Sequence, residues 1–221
     1  NQISTLLGNL TAAKWYVHEP CLNPAIVNAA RTIAGRDAFV AYDFSQADVI
    51  VSLESDFLNT GPAALAYARQ FAARRSVDDG ATPCRLYAIE AEPSVSGSLA
   101  DHHFPVKSSA VPGIAYQLAK ACGVAGTPDV TGNAPAWLNA VAQDLSGAKG
   151  RCIVLPGEFQ PESVHLAAYA INAALGNVGK TVRLIEGVEP GNTHSLGELT
   201  GELEAGNVDT LVILGANPVY A

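Results

Sequence analysis

At 221 residues and 48% hydrophobic content, the chain holds enough apolar material for a real core, in one large domain or two small ones. A charged fraction of 15% excludes long disordered tails, and a net charge of −8 argues against nucleic acid and against an anionic membrane face as partners. No run approaches the roughly 18 apolar residues of a membrane-spanning helix, and no signal-peptide pattern stands at the start. With no Met at any position, the sequence reads as a piece of a longer protein, so targeting signals and partner domains are expected outside it.

Helices and strands alternate along the chain. Asn23-Pro24 opens a helix, with a capping side chain followed by Pro at the first position. Ile26, Val27, Ala30 and Ile33 form its apolar face, and Gly35 stops it. Val49 to Leu53 reads as a short buried strand. Gly61-Pro62 starts the next helix, with Leu65, Ala68 and Phe71 inward and Arg69, Arg74 and Arg75 outward. Leu86 to Ile89 is a second strand. Phe104-Pro105-Val106 is an edge strand, because Pro cannot donate to a ladder. A helix runs from Pro112 to Cys122 and ends at Gly123. The Gly-, Pro- and Thr-rich stretch from Gly123 to Ala134 is the best linker, which places a boundary near residue 128 and divides the chain into 1–128 and 129–221.

The second part repeats the scheme. Trp137, Leu138, Val141 and Leu145 mark a helix, Ile153 to Leu155 a strand, and Val164, Ala168, Ile171 and Leu175 a helix after Pro161. Val182 to Ile185 is a strand, Ser195 and Glu198 form a capping box, and Leu211 to Leu214 is the last strand. Continuous apolar strands joined by helices predict an α/β fold with two Rossmann-like parallel-sheet halves and helices on both faces.

An internal repeat locates candidate sites. Ala47 to Phe57 aligns without gaps on Val208 to Pro218, each with an Asp at the strand entrance and a small loop beyond the tip. Ligands of open parallel sheets bind beyond the carboxyl ends of strands, so the loops after Leu53 and Leu214 are equivalent candidates. Gly215, Ala216, Asn217 and Pro218 form a small, neutral loop that lets a ligand approach the backbone. Glu54, Ser55 and Asp56 form an acidic one. At an effective dielectric of about 20, a carboxylate about 4 Å from a phosphate costs on the order of 4 kcal/mol. The first loop is therefore hostile to a nucleotide and the second permissive.

These loops resemble the G-S-N-P and G-x-N-P segments of molybdopterin oxidoreductases. Ile89-Glu90-Ala91-Glu92-Pro93, with Ala100-Asp101 and Phe104-Pro105-Val106, resembles that family's V-D-P-R strand and its downstream A-D-x-x-L-P. Leu155-Pro156-Gly157-Glu158, His165 and Leu175-Gly176-Asn177-Val178-Gly179 resemble its G-x-x-x-x-x-H helix ending in L-G-N-x-G. Tyr42 to Ser45, Ala47 to Leu53, Asp56 to Leu58, Gln160 to His165 and Gly176 to Val182 are similar to the molybdopterin-like, iron–sulfur large subunit of alternative complex III, a membrane-bound quinol oxidoreductase of bacteria.

The resemblance implies a scaffold in a respiratory electron-transfer complex, on its periplasmic face, without direct membrane insertion. Its partners would be other domains of the same chain and other subunits, with iron–sulfur clusters on domains outside these residues and no molybdenum cofactor here. The departures fit that subset. Glu54 stands where relatives have Gly, Asp56 where they have Asn, Glu92 for Asp and Ser94 for Arg, so a phosphate site loses a bidentate cation and gains anions. The vestigial cofactor-binding positions implied are Glu54, Ser55, Asp56, Glu92, Ser94, Gly157, Glu158, Gln160, His165 and Gly215 to Pro218. The alternative is a working molybdenum bis(guanine dinucleotide) oxidoreductase that binds its pterins at Gly157 to Gln160 and Gly215 to Pro218. A stand-alone nucleotide-binding enzyme is the third reading.

Other features are weaker. Gly176 to Thr181 looks like a P-loop end, but Ala174 holds the first Gly position and the segment joins helix to strand, so it reads as a helix stop. Asp101-His102-His103 reads as a solvated turn rather than a metal site, and His165 as a packing or hydrogen-bonding residue. Cys21, Cys84, Cys122 and Cys152 lack the spacing of a zinc or iron–sulfur site. Cys21 lies near where a molybdenum ligand would fall, but its neighbours do not match one. Cys122 and Cys152 read as buried thiols.

Overall fold

The computed structural model describes residues 2–18, 23–36, 38–77, 82–186, 193–215 and 217–220. The chain forms two compact units, one of Asn23–Gly187 and one of Asn1–Leu22 with Val188–Ala221.

The larger unit is α/β, built on a four-stranded parallel sheet. Its strands are β3 (Val49–Leu53), β4 (Arg85–Glu90), β5 (His102–Pro105) and β6 (Cys152–Pro156), in the order β5-β4-β3-β6. The first three strands step in one direction and β6 returns to the other side of β3, so the order reverses between β3 and β6. The boundary expected near residue 128 lies in the loop between α5 (Val111–Ala121) and α6 (Leu138–Gly147), and the strand after it joins the same sheet as the strands before it.

Apolar side chains cover both faces. Val49, Val51, Leu53, Tyr87, Ile89, Cys152 and Val154 pack under α5, α6 and α7 (Glu162–Ala174). Ile50, Leu86, Ile153 and Leu155 pack against Phe44, Phe57 and Phe71, the last on α3 (Ala64–Arg75). Alternate residues of one strand thus serve opposite helical layers. The phenyl rings of Phe44 and Phe57 stack at 4.6 Å, and Phe57 meets Phe71 edge-on at 5.9 Å, contacts worth roughly 0.5–1.5 kcal/mol each beyond burial.

β6 is an edge strand, and a polar seam seals it. The Asn172 amide donates to the Val154 carbonyl (2.7 Å) and to the Ala168 carbonyl (2.9 Å), while its oxygen accepts from Val154 N–H (3.0 Å). The Thr181 hydroxyl donates to the Cys152 carbonyl at 2.7 Å, and Asn177 Oδ1 accepts from Gly150 N–H at 3.0 Å. Side chains therefore take the place of a neighbouring strand. This corrects the expectation that Val182 to Ile185 continues the parallel sheet. β7 (Val182–Glu186) instead pairs antiparallel with β2 (Ala38–Tyr42), an element the sequence reading did not single out. α2 (Pro24–Ala34) begins as expected, with Asn23 accepting from Ala25 N–H and Gly35 closing it at φ +68°.

Other expectations shift. α3 starts at Ala64 rather than at Gly61-Pro62; Phe71 is buried as expected, but Leu65 is 87% exposed and Tyr67 turns inward in its place. His102 and His103 lie within β5, not in a solvated turn. Alternation sends His102 onto the Tyr87 ring at 4.9 Å and His103 to Glu90 at 3.1 Å. β5 is the edge strand expected, shifted toward the N-terminus, and α4 (Val95–Ser98) precedes it.

In the smaller unit, α1 (Gln2–Asn9) and β1 (Trp15–Tyr16) precede β8 (Thr193–His194) and α8 (Leu196–Glu204), with β1 and β8 paired in parallel. The Ser195–Glu198 capping box forms as read from sequence. The last expected strand does not form. Leu211 to Leu214 lies exposed, with Val212 at 70%, and pairs with no strand among the described residues, so its backbone finds no ladder.

Candidate functional site

The carboxyl ends of β3 and β6 meet where the strand order reverses, the place where open α/β sheets bind ligands. The chain turns sharply as it leaves β3. Ser52 Oγ accepts from Ser55 N–H (3.0 Å) and donates to the Ser55 carbonyl (2.9 Å), folding the tip back on itself. Glu54, inside that turn, has φ +54° and is the one non-glycine residue with positive φ among those described. That conformation costs a side-chain-bearing residue on the order of 1–2 kcal/mol.

The Glu54 carboxylate explains why the strain is tolerated. Oε1 accepts from Ala91 N–H after β4 (3.1 Å) and from the Ser108 hydroxyl before α5 (2.6 Å). Oε2 accepts from the Gln160 amide after β6 at 2.6 Å. One anion thereby ties together four segments of the crevice. Gly157 completes the arrangement: its N–H donates to the Leu53 carbonyl at 2.8 Å, and a Cβ on it would collide with the Glu54 carbonyl.

The other carboxylates face elsewhere. Asp56 accepts from Ser96 N–H (2.8 Å), the Ser96 hydroxyl (2.9 Å) and the Asn59 amide (3.0 Å), so it organises α4 rather than the crevice. Burial pushes its pKa up, but these donors outweigh burial and hold it below the ordinary aspartate range. Glu90, only 3% exposed, accepts from Ser94 N–H (3.0 Å), the Ser94 hydroxyl (2.8 Å) and His103 Nε2, and Gly97 must lack a side chain to make room for it. Ser94 also caps α4, its hydroxyl oxygen accepting from Gly97 N–H. Glu92 and Glu158 are exposed.

Beside the crevice lies a cleft of about 210 Å³, walled by Ile26, Ile33, Phe57, Leu155 and Tyr169, with Glu158 and His165 on its lining. His165 Nε2 is buried and unpartnered among the described residues, and burial holds the His165 pKa below the ordinary histidine value. The second orphan is the Gln160 amide oxygen, whose nitrogen is committed to Glu54.

Glu54, Ser55, Gly157, Gln160 and His165 thus share one end of one sheet. Gly215, Asn217 and Pro218 belong to the smaller unit and are exposed, with Gly215 at φ +73° and the Asn217 side chain accepting from Val219 N–H. Ala216 and Cys21 lie outside the described residues. Sequence reasoning missed Ser108 and Glu90. The signal for Glu90 was a carboxylate at the end of an otherwise apolar strand; Ser108 carried none.

No described group of three or more His, Cys, Asp or Glu residues is arranged to hold a metal ion. Burial raises the Cys152 and Cys84 thiols and pushes Cys122 up to about 11, which disfavours the reactive thiolate. No described helix is long and apolar enough to cross a membrane. The crevice residues fit a pyrophosphate poorly, since its would-be donors already serve a carboxylate. No family model matches the chain, and no curated protein matches it.

Proposed function

We propose that this chain is part of a molybdopterin-oxidoreductase-like subunit of a bacterial, membrane-associated respiratory electron-transfer complex, and that it serves as a scaffold without molybdenum. In this reading the β3–β6 sheet is one Rossmann-like half. Leu211 to Leu214, with the apolar pattern of a strand buried on both faces, belongs to a second. Other domains and subunits carry the iron–sulfur clusters, and the assembly sits at the periplasmic face.

The observation that carries the reading is the Glu54 carboxylate, held by three donors at the end of the sheet where a cofactor diphosphate would rest. A dianion there would have to displace a carboxylate or accept its repulsion, about 4 kcal/mol for each unit of its charge at about 4 Å and an effective dielectric of about 20. No described Lys or Arg forms an ion pair with Glu54 or Asp56 to relieve it. Metal and pterin analysis of the full-length protein from its natural source tests the proposal. The scaffold reading expects iron without molybdenum or pterin; stoichiometric molybdenum with a pterin dinucleotide overturns it in favour of a working molybdenum enzyme.

A further inference from the structure

The cleft beside the crevice has a chemistry of its own. α2 supplies Ile26 and Ile33 to its walls, β2 supplies Phe39 and Val40, the loop after β3 supplies Phe57, and β6 supplies Leu155. Its volume of about 210 Å³ lies below the range of about 300–1,000 Å³ for drug-sized sites and above the apolar cavity of about 150 Å³ that holds benzene. A single ring, or a branched chain of similar bulk, is the size it accepts.

Several polar groups on the lining are already committed. The Asn172 amide serves the Val154 and Ala168 carbonyls, the Tyr67 hydroxyl accepts from Tyr42 N–H at 3.2 Å, and the Thr60 hydroxyl donates to the Asp56 carbonyl at 3.1 Å. His165 Nε2 is the exception. It is the one buried side-chain nitrogen or oxygen on this lining without a partner among the described residues. Folded proteins leave few such groups unmet, because each has lost its hydration and gained no bond in return.

Charge narrows the choice of ligand. No described Lys or Arg lines the cleft, and the exposed Glu158 carboxylate on the lining repels an anion. Burial pushes the Tyr42 phenol up and holds the His165 imidazole below the ordinary histidine value, so both are neutral at pH 7. A cation would have to leave water for mainly apolar walls, with only the solvent-screened Glu158 to receive it.

We propose that this cleft binds a small, uncharged, mainly apolar molecule of about one ring, oriented by a hydroxyl group that hydrogen-bonds to His165 Nε2. A hydroxyl both donates and accepts, so it matches either neutral tautomer of the imidazole; a bare hydrocarbon leaves the nitrogen unpaired. Such a ligand has none of the chemistry of a diphosphate, so the site goes beyond the scaffold reading and does not depend on it.

Titration of the full chain with phenol, toluene, benzoate and benzylamine, followed by calorimetry and by the histidine ring resonances in NMR, tests the assignment. Phenol is expected to bind with a Kd on the order of 1 mM, about tenfold more tightly than toluene and more tightly than either charged analogue. It is also expected to shift the His165 resonance, which toluene leaves in place. His165→Phe binds phenol and toluene alike, and Ile33→Trp, which fills the cleft from α2, binds neither. The preference of the unsubstituted chain for phenol is measured without any variant, so it decides the matter even if a substitution impairs folding. Equal affinity for phenol and toluene, tighter binding of a charged analogue, a shift confined to other histidines, or no phenol binding at about 10 mM overturns the proposal.

Discussion

Glu54 carries two opposed terms. Its backbone sits in a conformation that glycine adopts freely, and its carboxylate satisfies three donors on three other segments. Glu54→Gly removes the strain but leaves those donors without a partner. Because the site is half-buried, the loss outweighs the relief, and a net destabilisation of about 1–2 kcal/mol is expected in chemical denaturation. Gly157→Ala is expected to cost more, about 2–3 kcal/mol, because the obstacle to a Cβ is the Glu54 backbone, which cannot swing aside. Asp56 predicts a pH effect. Its folded pKa is depressed, so its contribution to stability is fully present above the unfolded value near 4 and is lost as pH falls through the folded value. Asp56→Asn is therefore expected to flatten the stability profile below about pH 4; an unchanged acid limb would argue that Asp56 gains nothing from Ser96.

At the scale of elements, the decisive device is the seam along β6. Asn172 reproduces with one side chain the donor and acceptor a neighbouring strand would offer Val154. Asn172→Leu preserves approximate volume but orphans both backbone groups, and equilibrium unfolding is expected to show a loss of about 2–4 kcal/mol. The sequence made the parallel core legible because Val49 to Leu53, interrupted only by Ser52, Leu86 to Ile89 and Ile153 to Leu155 are apolar runs between helix signals. It did not disclose the antiparallel ribbon. The fate of Val182 to Ile185 depends on whether the β6 edge is free, and three polar residues at 172, 177 and 181 decide that through tertiary contacts. Leu211 to Leu214 misled for a related reason: an apolar run states what a strand could bury, not whether a partner strand is present. At the site, the acidic character of Glu54 was readable from its type. Its three donors come from residues 91, 108 and 160, a convergence that no local pattern encodes.

At the scale of the whole molecule, the two units differ in how much backbone they bury. In the larger unit all of β3 and most of β4 are inaccessible to solvent; in the smaller unit α8 has no buried residue. Hydrogen exchange is expected to be slowest at Val49 to Leu53 and Leu86 to Ile89 and fast throughout Leu196 to Leu214; comparable protection in both would contradict the division. The central claim, that the Glu54 carboxylate holds the place of a diphosphate, is tested most directly by calorimetric titration of the unsubstituted chain and of Glu54→Gly with pyrophosphate. The account predicts no binding heat for the unsubstituted chain and saturable binding for the variant, with recovery of part of its lost stability. Saturable pyrophosphate binding at this crevice with Glu54 in place, or none after its removal, would contradict it.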